Sequence, residues 1–118
     1  MKILIIGGTG FLGSCIIKRL ETDHQIAVLH QGKTNLILSE SVHEILGSRN
    51  ELESVKEKII AFGPEIILDM ILSSEKQAIE LLKVCKGIAR RVIAVSSSDV
   101  YEAFAIFLGF LQGMFPPL

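Results

Sequence analysis

Hydrophobic residues follow two alternating spacings along the chain. Short continuous aliphatic runs that end in glycine or polar residues are typical of strands buried on both faces of a sheet. Between these runs, apolar residues recur three or four positions apart, as on one face of a helix; Leu12, Ile16 and Leu20 belong to the first such stripe. The predicted strands are residues 2–6, 25–30, 42–46, 65–72 and 91–95, and the predicted helices start near residue 12, cover residues 51–62 and run from residue 73 or 74 to about residue 86.

Strands that alternate with helices predict a parallel sheet. Right-handed crossovers between the strands then place helices on both faces of that sheet. A length of 118 residues is that of one compact domain. The sequence therefore predicts an α/β fold in which residues 1–118 form one Rossmann-like domain, with a doubly wound parallel sheet of about five strands.

Charge and cysteine content exclude several classes of protein. The 12 Lys and Arg residues balance 13 Asp and Glu residues, so the net charge of −1 predicts no binding to nucleic acid or to an anionic membrane. No apolar run approaches the roughly 18 residues of a membrane span. Cys15 and Cys85 lie far apart without CxxC spacing, which predicts no metal site, no disulfide and a cytoplasmic location. We interpret both cysteines as small core residues.

A glycine-rich segment joins the first predicted strand to the first predicted helix. It consists of Gly7, Gly8, Thr9, Gly10, Phe11, Leu12 and Gly13, and contains the pattern G-x-G-x-x-G. In this pattern glycines permit a tight turn, a close approach of backbone to pyrophosphate, and close packing of helix on strand. Free N–H groups at the helix start then meet the phosphate charge. Ser14 stands where a Walker A loop requires lysine. We predict that residues 7–13 bind a dinucleotide; the alternative is a turn with a structural role only.

A serine-rich segment after the last predicted strand carries a resemblance to a known family. It reads Ser96-Ser97-Ser98-Asp99-Val100-Tyr101. Together with the glycine segment and Ser14, it resembles the extended short-chain dehydrogenase/reductase superfamily, and within it the NAD-dependent epimerase/dehydratase group that acts on nucleotide sugars. The resemblance covers essentially the whole chain but only the N-terminal part of such an enzyme, truncated before the substrate domain. It implies NAD or NADP as cofactor, and a nucleotide-sugar substrate in a full-length relative.

The resemblance implies a role for one serine of this segment. In the family, the Ser or Thr four residues before the tyrosine hydrogen-bonds the reacting oxygen, and here that residue is Ser97. We predict Ser97 as a catalytic residue and Ser96 as a residue of the cofactor site. The alternative is that these serines satisfy backbone groups of a loop and of a helix start.

The catalytic pair of the family is missing from these residues. The family uses a Tyr-x-x-x-Lys pair in which the lysine lowers the pKa of the phenol and holds the nicotinamide ribose, because a phenol with a pKa near 10 needs a cation to act at neutral pH. The chain has one tyrosine, Tyr101, which belongs to the serine segment, and Ala105 stands four residues later. Whether these residues form an enzyme is therefore uncertain, and alone they are expected to be inactive.

The residues that follow the second and third predicted strands bear on the adenosine half of the cofactor. Dinucleotide sites usually have an Asp or Glu at the end of the second strand for the ribose 2′-hydroxyl, but His30 holds this position. Lys33 could pair with a 2′-phosphate, which would favour NADP; the alternative is a solvated lysine. After the third strand, where the family often has an Asp near the adenine, the chain has Ser48. We predict His30, Lys33 and Ser48 as cofactor-binding residues.

Two further features concern the end of the sheet and the end of the chain. Asp69 lies within an aliphatic run, and we predict that it lines the cofactor crevice; alternatively, it caps a neighbouring element. Either way, a buried carboxylate requires a partner. Residues 103–111 are apolar or glycine, with phenylalanine every third residue. This tail is expected either to fold back onto the sheet or to favour self-association.

Three functional hypotheses follow from these observations. The first is the NAD(P)-binding portion of an epimerase/dehydratase-like oxidoreductase. The alternative is a non-catalytic NAD(P)-binding sensor or interaction module. A third, an unrelated interaction domain on the same scaffold, also stays open because fold does not determine function.

Overall fold

The computed structural model describes residues 1–7, 11–32 and 39–95. In chain order the elements are β1 (Lys2–Ile6), α1 (Phe11–Leu20), β2 (Gln25–His30), β3 (His43–Leu46), a 3₁₀ helix (Arg49–Val55), α2 (Lys56–Phe62), β4 (Ile66–Asp69), α3 (Glu75–Cys85) and β5 (Arg91–Ala94). The predicted tail at residues 103–111 and the serine segment at residues 96–101 lie outside this part of the chain. No helix among the described residues is long and apolar enough to cross a membrane.

The five strands form one sheet in the order β3-β2-β1-β4-β5, and every neighbouring pair is parallel. The chain moves from β1 through β2 to one edge at β3, and then crosses to β4 on the other side of β1. Ile6, the last residue of β1, is in register with Leu29 of β2 and with Asp69 of β4. The predicted doubly wound, Rossmann-like sheet is confirmed.

Helices cover both faces of the sheet, as predicted. Side chains of β1 alternate between the faces because successive residues of a strand point to opposite sides. Ile3 and Ile5 belong to a hydrophobic cluster with Ile17 of α1. Leu4 and Ile6 belong to the cluster on the opposite face, which contains residues of the 3₁₀ helix, α2 and α3.

The predicted helix at residues 51–62 was wrong in its first half. The structure has a 3₁₀ helix there, interrupted at Glu51, whose φ of −135° and ψ of 49° are not helical. One cause is that the Leu52 N–H donates to the Glu80 carboxylate of α3 (2.8 Å), which competes with the hydrogen bonds of a regular helix. Regular α-helix starts at Lys56, and it ends at Gly63 in the left-handed conformation, where the sequence predicted the stop.

The fourth strand is also shorter than predicted: residues 65–72 were expected, and β4 ends at Asp69. The Met70 N–H still donates to the Ile6 carbonyl at the end of β1 (3.0 Å). The next amide, that of Ile71, donates instead to the Asp69 side chain (3.1 Å). This local side-chain acceptor replaces the ladder and turns the chain. Ser74 then caps α3 by accepting a hydrogen bond from the Gln77 N–H, which decides between the two predicted caps.

The two cysteines have opposite environments, which corrects the interpretation of Cys15 as a core residue. Cys15 is exposed, whereas Cys85 is buried with 1% of its surface accessible. Among residues 13–20 of α1 the buried ones are Gly13 and Ile17, four positions apart, and Cys15 lies midway between them, on the outer side of the helix. Burial raises the pKa of the Cys85 thiol to about 12.

We predict that only Cys15 reacts with a thiol reagent at pH 8 in the folded protein. The thiolate is the reactive form. Cys85 is inaccessible to solvent, and pH 8 lies far below the pKa of its thiol, so the thiol stays protonated. Mass spectrometry after iodoacetamide treatment should find one modified cysteine in the native chain and two after unfolding. The Cys15→Ser variant should show no native modification. Rapid native labelling of Cys85 would contradict the described packing of α3.

Candidate functional site

The carboxyl end of β1 lies at the switch point of the sheet: β2 and β3 are added on one side of β1, and β4 and β5 on the other. On one side the Gly7 N–H donates to the Leu29 carbonyl of β2 (3.0 Å), and on the other side the Met70 N–H donates to the Ile6 carbonyl (3.0 Å). β2 leads on to one edge of the sheet and β4 to the other. In open α/β sheets, ligands bind in the crevice at such a switch point, outside the carboxyl ends of the strands.

Gly7 begins the turn out of β1 in a conformation that favours glycine. Its φ is 76°, which a residue with a Cβ adopts only at a cost. An ideal Cβ at this position would lie 2.6 to 2.9 Å from three side-chain carbons of Ile71. Both the backbone angle and the close approach of Ile71 therefore require glycine here. Ile71 itself remains 44% exposed at the mouth of the crevice.

The remaining predicted phosphate-binding residues divide into two groups. Gly13 is buried within α1, and Phe11 and Leu12 form the first residues of that helix. The helix thus starts four residues after Gly7, as the predicted strand-turn-helix arrangement requires. The residues that lie outside the described part of the chain are Gly8, Thr9 and Gly10, and also Lys33, Ser96 and Ser97, so their predicted roles stay predictions.

His30 ends β2 at the position where dinucleotide sites commonly have a carboxylate. Its side chain is only 8% exposed. The Gly32 N–H donates to Nδ1 (3.0 Å), so the neutral ring has its proton on Nε2. That atom lies 3.7 Å from the carboxylate of Glu44 on β3, too far for a hydrogen bond but close enough for an electrostatic interaction. A neighbouring strand thus brings a carboxylate to the end of β2.

Ser48 caps the 3₁₀ helix that follows β3. Its hydroxyl accepts hydrogen bonds from the Asn50 N–H (3.1 Å) and from the side chain of Gln31 (3.2 Å), which follows β2. The hydroxyl therefore connects the ends of two neighbouring strands. The two contacts give Ser48 a structural role, and its predicted contact with the adenosine stays a prediction.

Asp69 is fully buried at the end of β4, and it has the partner that a buried carboxylate requires. Its Oδ2 lies 2.8 Å from Nη2 of Arg49, whose side chain is 3% exposed. The same Arg49 nitrogen donates to the Gln77 carbonyl in α3 (2.9 Å). Asp69 Oδ2 has no well-directed hydrogen bond among the described residues, so its contact with Arg49 is an ion pair.

Burial raises the pKa of the Asp69 carboxyl above its ordinary value. Removal from water has a larger effect than the opposing influences, which are the positive charge of Arg49, the hydrogen bond from the Ile71 N–H and the close contact with the Arg49 side chain. The contacts of Asp69 make it the acceptor that turns the chain after β4 and the buried counterion of Arg49. Its predicted place in the cofactor crevice stays a prediction.

Sequence reasoning missed two charged residues at this edge of the sheet. No local pattern in the sequence points to Arg49, and Glu44 belongs to β3 and reaches the end of β2 only through the pairing of the two strands. One signal was available for Arg49, since a carboxylate in an aliphatic run demands a cation. The sequence offered many cations, and only the folded chain shows which one reaches Asp69.

No family model matches the chain, but individual proteins resemble it in sequence and in structure. A 2′-dehydrokanamycin reductase from Streptomyces kanamyceticus is 26% identical over 98 residues, which are 82% of this chain and 28% of the reductase. The chain thus spans less than a third of the length of this curated relative.

Two solved structures illustrate the likeness in fold. The enzyme WbmG of Bordetella bronchiseptica, determined with NAD, superposes with a TM-score of 0.66 at 21% identity, covering 80% of this chain and 36% of that one. A UDP-glucose 4-epimerase from Thermotoga maritima, determined with UDP-glucose, has a TM-score of 0.78 at 15% identity, covering 97% and 52%.

These likenesses define the chain as a Rossmann-like α/β domain. The resemblance to epimerases, dehydratases and short-chain dehydrogenases/reductases that the sequence predicted is thereby confirmed at the level of fold.

We predict that Gly7→Ala destabilises the protein more than Gly87→Ala does. Both glycines have a positive φ, 76° and 79°, so both variants bear a similar backbone strain, but no atom lies within 4 Å of an ideal Cβ at Gly87. The contact with Ile71 should cost Gly7→Ala about 1 kcal/mol more in the free energy of unfolding. Urea denaturation measures both variants, and adding Ile71→Ala to Gly7→Ala should remove the difference. Equal losses for the two single variants would contradict the packing of Ile71 on Gly7.

Proposed function

We propose that these residues are the NAD(P)-binding portion of an epimerase/dehydratase-like oxidoreductase that acts on nucleotide sugars. One observation carries the proposal: a glycine turn leaves the central strand at the switch point of a parallel sheet and leads directly into a helix. Gly7, together with the glycines at positions 8, 10 and 13 that form G-x-G-x-x-G, suits a backbone that must approach a pyrophosphate closely.

The pyrophosphate would lie against residues 7–13. The first N–H groups of an α-helix have no partner within the helix and carry a partial positive charge. The start of α1 therefore supplies donors for phosphate oxygens without any basic side chain, which is consistent with the small net charge of the chain. We assign Gly8, Thr9, Gly10, Phe11 and Leu12 to this cradle, as the sequence predicts.

The adenosine would lie toward the ends of β2 and β3, near His30 and Ser48. Two charges near this end favour different cofactors. The Glu44 carboxylate beside His30 would repel a 2′-phosphate and favours NAD, whereas Lys33 would attract it and favours NADP. Binding therefore has to be measured with both NAD(H) and NADP(H).

The nicotinamide would lie toward the ends of β4 and β5, near Asp69, Ser96 and Ser97. When bound, NAD(P) supplies the hydride acceptor or donor. The residues of the chain bind and orient it, and Ser97 would hydrogen-bond the reacting oxygen of the sugar. The Tyr-x-x-x-Lys pair that would move the proton is not present in residues 1–118, since Ala105 follows the single tyrosine at the lysine position. These residues alone are therefore expected to bind cofactor without turnover.

A non-catalytic NAD(P)-binding sensor or interaction module is the second candidate. It requires the glycine cradle for binding but not the proton-transfer pair, which residues 1–118 do not contain. Both candidates predict dinucleotide binding, and a continued reading frame that encodes Tyr-x-x-x-Lys would distinguish the first from the second.

We predict that the purified chain binds NADH or NADPH with a Kd below about 1 mM. Nicotinamide fluorescence and calorimetry measure the binding. Gly10→Val should weaken it by at least about tenfold, or about 1.4 kcal/mol, because a side chain would keep the backbone from the pyrophosphate.

Gly87→Asn provides a matched control for Gly10→Val. Gly87 lies in a turn with a φ of 79° and open space around it, and Asn tolerates the left-handed conformation. This variant should keep the affinity of the original chain. Failure of both cofactors to bind, or unchanged affinity in Gly10→Val, would contradict the proposal.

A further inference from the structure

The ion pair between Arg49 and Asp69 connects two parts of the carboxyl edge, by which we mean the side of the sheet where the five parallel strands end. Arg49 follows β3, Asp69 ends β4, and β2 and β1 lie between these strands in the sheet. Arg49 starts the crossover that carries the chain from β3 to β4, and its side chain reaches Asp69 at 2.8 Å, on the face of the sheet that α3 covers.

At one end, the pair controls the turn that closes on Gly7. Asp69 Oδ1 accepts the hydrogen bond of the Ile71 N–H (3.1 Å). This bond fixes the backbone of Ile71, and the Ile71 side chain packs directly on Gly7. The position of the Asp69 carboxylate thus determines where the Ile71 side chain stands at the mouth of the crevice between β1 and β4.

At the other end, the pair is attached to the loops after β2 and β3. Arg49 is the residue after Ser48, whose hydroxyl accepts the hydrogen bond from the Gln31 side chain. Arg49 also donates to the Gln77 carbonyl in the first turns of α3 (2.9 Å). A single buried contact therefore connects the predicted adenosine side of the crevice to the predicted nicotinamide side.

A fully buried ion pair does not by itself indicate a stabilising role. Buried ion pairs can commonly be replaced by apolar residues of similar size without loss of stability. What apolar residues cannot replace is the carboxylate that accepts the Ile71 N–H.

We propose that Arg49 and Asp69 form a positioning pair that holds the Ile71 turn and the loop after β3 in register for dinucleotide binding. The proposal rests on the proposed function. Neither residue needs to contact the cofactor: Arg49 holds the Asp69 carboxylate in place, and Asp69 holds Ile71.

The test replaces both charges at once, because a single replacement leaves an unpaired buried charge and could unfold the chain. In Arg49→Met/Asp69→Leu the urea midpoint should be equal to or above that of the original chain. The affinity for the better of NADH and NADPH should fall by about tenfold, as expected for a displaced binding element. Arg91→Met is the matched control, because Arg91 is exposed and starts β5, at the side of the sheet where the strands begin. This variant should change neither the urea midpoint nor the affinity.

Amide hydrogen exchange shows whether the effect is confined to the Ile71 turn. In the double variant the Ile71 amide should exchange faster, because its acceptor is gone, while the core amides of Leu4 and Ile5 in β1 stay protected. Arg49→Met/Asp69→Asn, which retains an oxygen for the Ile71 N–H and leaves no unpaired buried charge, should show a smaller increase and a smaller loss of affinity.

The possible results distinguish failure of the positioning pair from failure of the proposed dinucleotide binding. Unchanged affinity or unchanged Ile71 exchange in the double variant would overturn the positioning pair while leaving dinucleotide binding intact. Faster exchange throughout β1 together with a lower midpoint would show a structural pair and would also overturn it. If neither the original chain nor Arg91→Met binds either cofactor, the proposed function fails, and the positioning pair fails with it.

Discussion

Strand β1 is hydrogen-bonded to a parallel strand on each side, and this double pairing determines where the features of the carboxyl edge lie. The register aligns Ile6 with both Leu29 and Asp69, so three strands end at the same level. Because the chain winds in opposite directions from β1, the turn at Gly7 opens at the point between the two halves of the sheet. The glycine turn, the buried ion pair and the end of β2 all meet there as a consequence.

The central strands were the elements that the sequence predicted best, and their burial explains why. β1 and β2 have the predicted bounds because their side chains are buried on both faces, which requires continuous aliphatic runs. The strand-turn-helix arrangement around Gly7 was equally readable, since glycine spacing is a local signal. Elements at the periphery are less constrained: only Ile45 of β3 is buried, and the predicted strand started one residue too early.

Interactions between residues distant in sequence account for what could not be predicted. The 3₁₀ helix replaces regular helix where Leu52 donates to Glu80, 28 residues further along the chain. The Glu44 carboxylate reaches His30 from a neighbouring strand, and Arg49 reaches Asp69 from the crossover after β3. Hydrophobic periodicity cannot predict these contacts, because they depend on how the elements pack in three dimensions. The early end of β4 has a local cause, the hydrogen bond from the Ile71 N–H to the Asp69 side chain.

We propose above all that the carboxyl edge around β1 binds a dinucleotide. The most direct test adds NADH or NADPH to the isotopically labelled chain and maps the shifts of the amide NMR signals. The amides of Gly7, Gly13 and Ile71 at that edge should shift in a saturable manner, while those of Gln25 and Glu65 at the opposite edge should not. Shifts confined to the opposite edge, or no saturable shift with either cofactor, would contradict the assignment of this edge as the binding site.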